Sequence, residues 1–121
     1  MLYNTLKSAE HLSQGGIQAR VLSMHTLKPL DIESVLTAAR ETGIVFTIEE
    51  HSVIGGLGGA VAEVLAESMD SPIAFKRIAM KEAFCSQVGS QEFLRKVNGL
   101  SVEGIVESIH LLLRSVKKKD Q

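Results

Sequence analysis

The sequence contains no tryptophan, one cysteine, two prolines and no long apolar run. Because a single cysteine cannot form an internal disulfide, the chain fits a reducing compartment better than secretion. No apolar stretch approaches the roughly 18 residues that cross a bilayer, and the first residues have no signal-peptide pattern. Positive and negative residues are nearly balanced, with a formal net charge of -1. This balance excludes a strong electrostatic attraction to nucleic acid or anionic membranes. We therefore predict a cytoplasmic protein with neither nucleic acid nor membrane as a partner.

The apolar content is sufficient for one hydrophobic core. Hydrophobic residues make up 45% of the 121 residues and charged residues make up 22%, which is typical of globular proteins. This length suits one domain rather than two. We therefore predict a single domain over residues 1–121.

Helical and strand patterns alternate along the chain. Apolar residues at helical spacing predict a first helix, and further helices are indicated where Asp31, Ser90 and Ser101 can cap a helix start. Short runs rich in β-branched residues indicate strands between them. The patterns predict helices over residues 2–14, from 32 to Gly43, from Leu57, from Ser90 to about Val97 and after Ser101, and strands over residues 18–24, 44–48 and 73–78.

This alternation predicts an α/β fold with three layers, α/β/α, and a mainly parallel sheet. The strand at 44–48 is apolar on both faces and should lie centrally, whereas Lys76 and Arg77 place the strand at 73–78 at an edge. The strand at 18–24 has mixed polarity and should be partly exposed. Three strands form a narrow sheet, which suggests that a part of the sheet is missing upstream.

The glycine-rich stretch Gly55–Gly59 lies between a predicted strand and a helix start. Backbone N–H groups at such a turn can hold a phosphate. However, the stretch matches neither the dinucleotide-binding glycine pattern nor a P-loop. We favour the other interpretation, in which small residues allow a tight turn and close packing of the helix on the sheet.

Glu49, Glu50 and His51 directly follow the strand predicted at 44–48. They stand at the carboxyl end of that strand, where open α/β sheets place their ligand sites. Acid–base catalysis would also need a nucleophile, a second positioned group or a metal, and no neighbouring residue completes such a set. We favour a hydrogen-bonded His51 at a domain or subunit contact over a role in proton transfer.

The remaining reactive residues form no recognisable site. The histidines at positions 11, 25, 51 and 110 have no paired spacing, so we predict no metal site. Cys85 falls in a predicted loop without a motif that places a base beside it, which favours an inert thiol. We predict no catalytic, cofactor-binding or metal-binding residue, and we predict an interface or anion-binding loop that comprises Glu49, Glu50, His51, Gly55, Gly56 and Gly58.

Several motifs in this order closely resemble the C-terminal domain of transketolase-like enzymes, especially the separate C-terminal subunit of split transketolases. They are Lys28-Pro29-Leu30-Asp31, then Glu49-Glu50-His51, then Gly55-Gly56-Leu57-Gly58, followed by Ala60-Val61. The stretch "FCSQVGSQEFLRKVNGLSVEGIVESI" extends the resemblance over essentially the whole chain.

The resemblance implies a non-catalytic assembly or dimerisation domain of an enzyme that performs ketol transfer between sugar phosphates. In that family, thiamine diphosphate and its Mg²⁺ lie between two other domains, so this chain alone is expected to bind no cofactor. The expected partners are other domains or subunits of the enzyme, together with further copies of the chain. Two alternatives remain: an independent module that binds an anionic metabolite or nucleotide at Gly55–Gly59, and a small enzyme that uses His51 or Cys85.

The resemblance also explains the narrow sheet. Members of the family have two further strands ahead of the segment that matches the first helix. One is parallel and lies in the sheet between the strands that match residues 18–24 and 44–48. The other precedes it in the sequence and is an antiparallel edge strand. Neither has a counterpart here, so the chain is expected to be truncated relative to the family. Its two neighbouring strands would then either close up or keep unpaired backbone groups that another chain can pair with.

Overall fold

The computed structural model describes residues 1–82 and 86–119. Helices and strands alternate over most of this part of the chain. None of its helices combines the length and the apolar character needed to span a lipid bilayer. In chain order the elements are α1 Leu2–Gln14, α2 Ile32–Thr42, β1 Ile44–Ser52, α3 Leu57–Ser68, β2 Ala74–Met80, α4 Gln91–Val97 and α5 Val102–Lys119.

The two strands are parallel and hydrogen-bonded to each other. Their register pairs Ile44 with Ala74 and continues without a break to Ile48 and Ile78. The register then shifts before Ser52 pairs with Met80. β1 is therefore longer than the strand predicted over 44–48, because pairing with β2 continues beyond the apolar run.

Helices cover both faces of this sheet, which confirms the predicted α/β architecture. The core on one face is formed largely by α1 and α5 against the strands, and the core on the other face by α2 and α3. The buried residues of the first core are Leu12, Ile78, Leu100, Ile105, Val106 and Ile109. Those of the second core are Val35, Ala39, Val61 and Leu65.

Local capping bonds fix the helix boundaries where the sequence predicts them. The Asp31 carboxylate accepts a hydrogen bond from the Ser34 N–H at 3.1 Å, and Gly43 ends α2 in the left-handed conformation at φ 68°. The Ser90 and Ser101 hydroxyls each accept a backbone N–H at 3.2 Å, at the starts of α4 and α5. These caps satisfy donors that a helix start leaves free.

The predicted strand over 18–24 is wrong. These residues follow α1 without regular secondary structure. β1, predicted to lie centrally, has β2 as its sole strand neighbour within the described residues. The physical reason is that a strand is defined by its neighbour, and residues 18–24 have no adjacent strand with which to form a ladder.

Candidate functional site

The carboxylate of Glu49 folds back onto the start of α3. Its two oxygens accept hydrogen bonds from the Leu57 and Gly58 N–H groups, both at 2.8 Å. A negative charge at this position also interacts favourably with the positive end of the helix dipole. The backbone groups that could have held a phosphate are thus bound to a side chain of the same polypeptide.

Two glycines allow the start of α3 to pack closely against side chains of the two strands. A Cβ atom at Gly56 would overlap the Glu49 Oε2 atom, and a Cβ atom at Gly58 would lie 2.8 Å from the Thr47 Oγ1 atom. Gly55 has a left-handed φ of 79°, which side chains disfavour. The contacts at Gly56 and Gly58 and the backbone conformation of Gly55 agree with the packing interpretation of these three glycines.

Glu50 connects the end of β1 to α4. Its carboxylate accepts two hydrogen bonds from the Arg95 guanidinium, from Nε and Nη2, each at 2.8 Å. The Gln91 amide lies 3.3 Å from the same carboxylate. The Arg95 guanidinium holds the pKa of the Glu50 carboxyl below its usual range. The sequence analysis missed Arg95; its one signal was the i, i+4 spacing with Gln91, which places both side chains on one face of α4.

His51 is exposed, and its Nδ1 atom lies 2.9 Å from the Ser52 carbonyl oxygen. A hydrogen bond of that kind orients the ring without activating another side chain. Glu49, Glu50 and His51 were expected to follow the strand, but they are part of β1 itself. The reason is that β2 pairs beyond the apolar run, as far as Ser52.

The contacts of Glu49, Glu50 and His51 are typical of residues that stabilise a fold rather than of a catalytic site. Both carboxylates are engaged by groups of the same chain, and His51 contacts a backbone carbonyl. Among residues 1–82 and 86–119, no group of three or more His, Cys, Asp or Glu side chains is placed to hold a metal ion. The prediction for Cys85 lies outside the described residues.

The Glu50–Arg95 pair makes stability depend on pH. A carboxyl whose folded pKa is lowered stabilises the fold above its unfolded pKa of about 4.3, and this contribution is lost as the pH falls through the folded value. Glu50→Gln should therefore lower the melting temperature at pH 7, and its difference from the wild type should shrink as the pH falls through the lowered folded pKa of Glu50.

Thermal melts at a series of pH values measure this difference. Glu107→Gln, a change at an exposed position on α5, serves as the control for the loss of one charge and should lower the melting temperature at pH 7 much less. A Glu50→Gln difference that stays constant from neutral to acidic pH would mean that the ion pair does not stabilise the fold.

The family model for the transketolase C-terminal domain matches residues 1–105. The chain belongs to the transketolase C-terminal domain family. A solved structure described as a split-gene transketolase, an inactive beta4 tetramer, has a TM-score of 0.80 and 41% sequence identity. That comparison covers 93% of this chain and 35% of the solved chain. The α/β architecture with a parallel sheet is therefore that of a transketolase C-terminal domain.

Similar proteins include subunits of split transketolases. The 6-deoxy-6-sulfo-D-fructose transketolase subunit of Clostridium sp. (strain MSTE9) is 43% identical over 91% of this chain and 33% of its own length. An apulose-4-phosphate transketolase subunit of Phocaeicola vulgatus is 38% identical over 97% of this chain and 35% of its own length. 1-Deoxy-D-xylulose-5-phosphate synthase 1 of Geobacter sulfurreducens is 38% identical over 89% of this chain and 17% of its own length.

This transketolase C-terminal domain thus spans about a third of the length of the split subunits that it matches. Neither these relatives nor the geometry supports the alternative of an independent anion-binding module. The N–H groups of Leu57 and Gly58 that such a module would use are bound to Glu49.

Proposed function

We propose that this chain is the non-catalytic assembly domain of a transketolase-like, thiamine-diphosphate-dependent enzyme in the cytoplasm. The assembled enzyme would transfer ketol groups between sugar phosphates, as in the pentose phosphate reactions. The observation that carries the proposal is the internal use of the polar groups at the end of β1. Glu49 caps α3 and Glu50 holds α4, so these side chains shape a surface instead of binding a substrate.

The residues at this edge do not fit thiamine diphosphate. A diphosphate needs free backbone donors or cationic side chains, and its metal needs free carboxylates or carbonyl groups. Here the start of α3 is occupied by a carboxylate, and the Glu50 carboxylate is neutralised by Arg95. The cofactor would accordingly be held by other parts of the enzyme.

Exposed apolar residues at the turn after β1 and on α4 support a contact with another subunit. Ile54, at the turn after β1, is 55% exposed, and Phe93 and Val97 on α4 are 46% and 45% exposed. Phe93 and Val97 are one turn apart and therefore lie on one face of α4. Exposed apolar residues that cluster on one face often belong to interfaces. The beta4 assembly in the description of the solved relative agrees with a homo-oligomer, of which a dimer is the smallest form.

A chimera with a relative tests the assembly role. The residues of the Clostridium subunit that match this chain would be deleted, which should abolish its activity, and then replaced by this chain, which should restore activity. The same chimera carrying Phe93→Asp and Val97→Asp should recover less activity, because charges would be placed in the proposed contact.

The isolated chain provides the second arm of this test. With thiamine diphosphate, Mg²⁺ and a mixture of ketose and aldose phosphates, it should show no turnover, and calorimetry should detect no thiamine diphosphate binding. Turnover by the isolated chain would overturn the proposal. So would a chimera that folds but is no more active than the deletion.

A further inference from the structure

Asn98 and Gly99, just after α4, form a dipeptide with a chemistry of its own. Asparagine before glycine is prone to spontaneous deamidation, because glycine has no Cβ atom to shield its backbone nitrogen. That nitrogen attacks the asparagine Cγ atom, and the bond from Cγ to Nδ2 breaks. The glycine N–H proton passes through solvent to the leaving nitrogen, which departs as ammonia. Water then opens the resulting succinimide to aspartate or isoaspartate.

The turn that ends α4 binds both groups that this reaction needs. The Gly99 N–H donates to the Lys96 carbonyl at 3.1 Å, and Gly99 is left-handed at φ 73°. The next N–H along the chain donates to the Arg95 carbonyl at 2.7 Å. These two bonds form a Schellman motif. The Asn98 Nδ2 atom donates to a carbonyl one turn earlier in α4, at 2.8 Å, so neither the nucleophile nor the amide is free.

The backbone conformation of Asn98 also opposes ring closure. Its ψ of 5° eclipses the Gly99 nitrogen with the Asn98 nitrogen and so turns it away from the Asn98 side chain. Leu100, on the far side of the turn, is 1% exposed in the core under α1 and α5. Its carbonyl accepts a hydrogen bond from the Asn4 amide at 2.9 Å. Gly99 can therefore approach the Asn98 side chain only when the α4 side of the turn moves.

α4 is the part of this turn that can open at low cost. It has seven residues, all of them described, and none is buried. A short helix that buries little is easily unfolded locally. The Glu50 carboxylate connects it to the end of β1 by accepting two hydrogen bonds from Arg95, each at 2.8 Å. Loss of this ion pair should therefore make α4 open more often.

We propose that Asn98 is a site of spontaneous deamidation which the folded α4 keeps closed, and that the Glu50–Arg95 pair controls how often it opens. The site follows from the geometry of the turn and does not depend on the proposed function.

The product of the reaction destabilises α4 further. A carboxylate at position 98 has no donor for the carbonyl one turn earlier, and its charge lies at the negative end of the helix dipole. Isoaspartate also adds a methylene group to the main chain, which the Schellman motif does not accommodate. Deamidation would thus displace Phe93 and Val97 on α4 and weaken the subunit contact, a consequence that rests on the proposed function.

Peptide mapping by mass spectrometry, after incubation of the full chain in mildly alkaline buffer, measures deamidation at Asn98. A synthetic peptide of residues 94–102 gives the rate of the open site. The folded wild type should react at least about tenfold more slowly than this peptide. Glu50→Gln should react about three to five times faster than the wild type, because a charge-assisted contact of α4 is lost. Glu107→Gln, at an exposed position on α5, removes the same charge and should leave the rate unchanged.

Val35→Ala distinguishes opening of α4 from unfolding of the whole chain. Val35 lies in the core on the opposite face of the sheet, so its truncation lowers the stability of the fold without a change near α4. Its deamidation rate should stay within about twofold of the wild type.

Three results would overturn the proposal. A folded wild type that reacts as fast as the peptide would show that the Schellman motif gives no protection. Equal rates for Glu50→Gln and Glu107→Gln would show that the ion pair does not control the site. A faster reaction in Val35→Ala than in Glu50→Gln would show that the site opens by unfolding of the whole chain. All these rates are measured on the chain alone, so they are independent of the activity of the chimera.

Discussion

Ile105→Ala is expected to lower the free energy of unfolding by about 3 to 4 kcal/mol, which is a large part of the 5 to 15 kcal/mol that stabilises a typical domain. Ile105 is 0% exposed and lies in the core that α5 forms with α1 and the sheet. The substitution removes buried methyl and methylene groups and leaves a cavity that the surrounding helices can only partly fill. Urea denaturation should show a lower midpoint with an unchanged slope.

Leu111→Ala is the matched control, because Leu111 is in the same helix but is 56% exposed. Its effect should stay within about 0.5 kcal/mol of the wild type, since no cavity forms. Comparable losses from both substitutions would mean that α5 does not pack through Ile105 as the structure shows.

The features that could be predicted from the sequence are those set by local interactions. Asp31 and Ser90 cap their helices through bonds to residues three positions away. Gly43 adopts a left-handed conformation that other residues disfavour. Such interactions need no distant partner, so the pattern of neighbouring residues is sufficient to identify them.

The features that could not be predicted depend on distant partners. Residues 18–24 have the composition of a strand, and the narrow predicted sheet suggested that a part of it is missing. Composition could not show that these residues would form no ladder without that neighbour. The Glu50–Arg95 pair joins residues that are 45 positions apart, so the spacing of Gln91 and Arg95 on α4 could not show that Glu50 is their partner. The sequence placed the glycine turn correctly but could not show that Glu49, eight residues before Leu57, would occupy it.

Glu49→Ala should lower the free energy of unfolding by about 2 kcal/mol, because two N–H groups at the start of α3 lose a charged acceptor. Gly56, the residue just before α3, has no side chain that could accept these hydrogen bonds in place of the Glu49 carboxylate. Glu49→Gln keeps one acceptor oxygen without the charge and should have about half this effect. Glu63→Gln, at an exposed position within α3, is the control and should change stability by less than about 0.5 kcal/mol.

A double-mutant cycle with Gly56→Ala shows whether the Glu49 contact itself is responsible. A Cβ atom at position 56 would overlap the Glu49 carboxylate, so Gly56→Ala should displace that carboxylate and cause much of the same loss. In the Glu49→Ala background the two atoms nearest to the added Cβ are gone, and the next nearest belongs to the His51 ring, which is exposed and can turn away. The two losses should therefore fall short of additivity by at least about 1 kcal/mol. Additive losses would mean that Glu49 stabilises the fold elsewhere, and the start of α3 would again be open to an external anion.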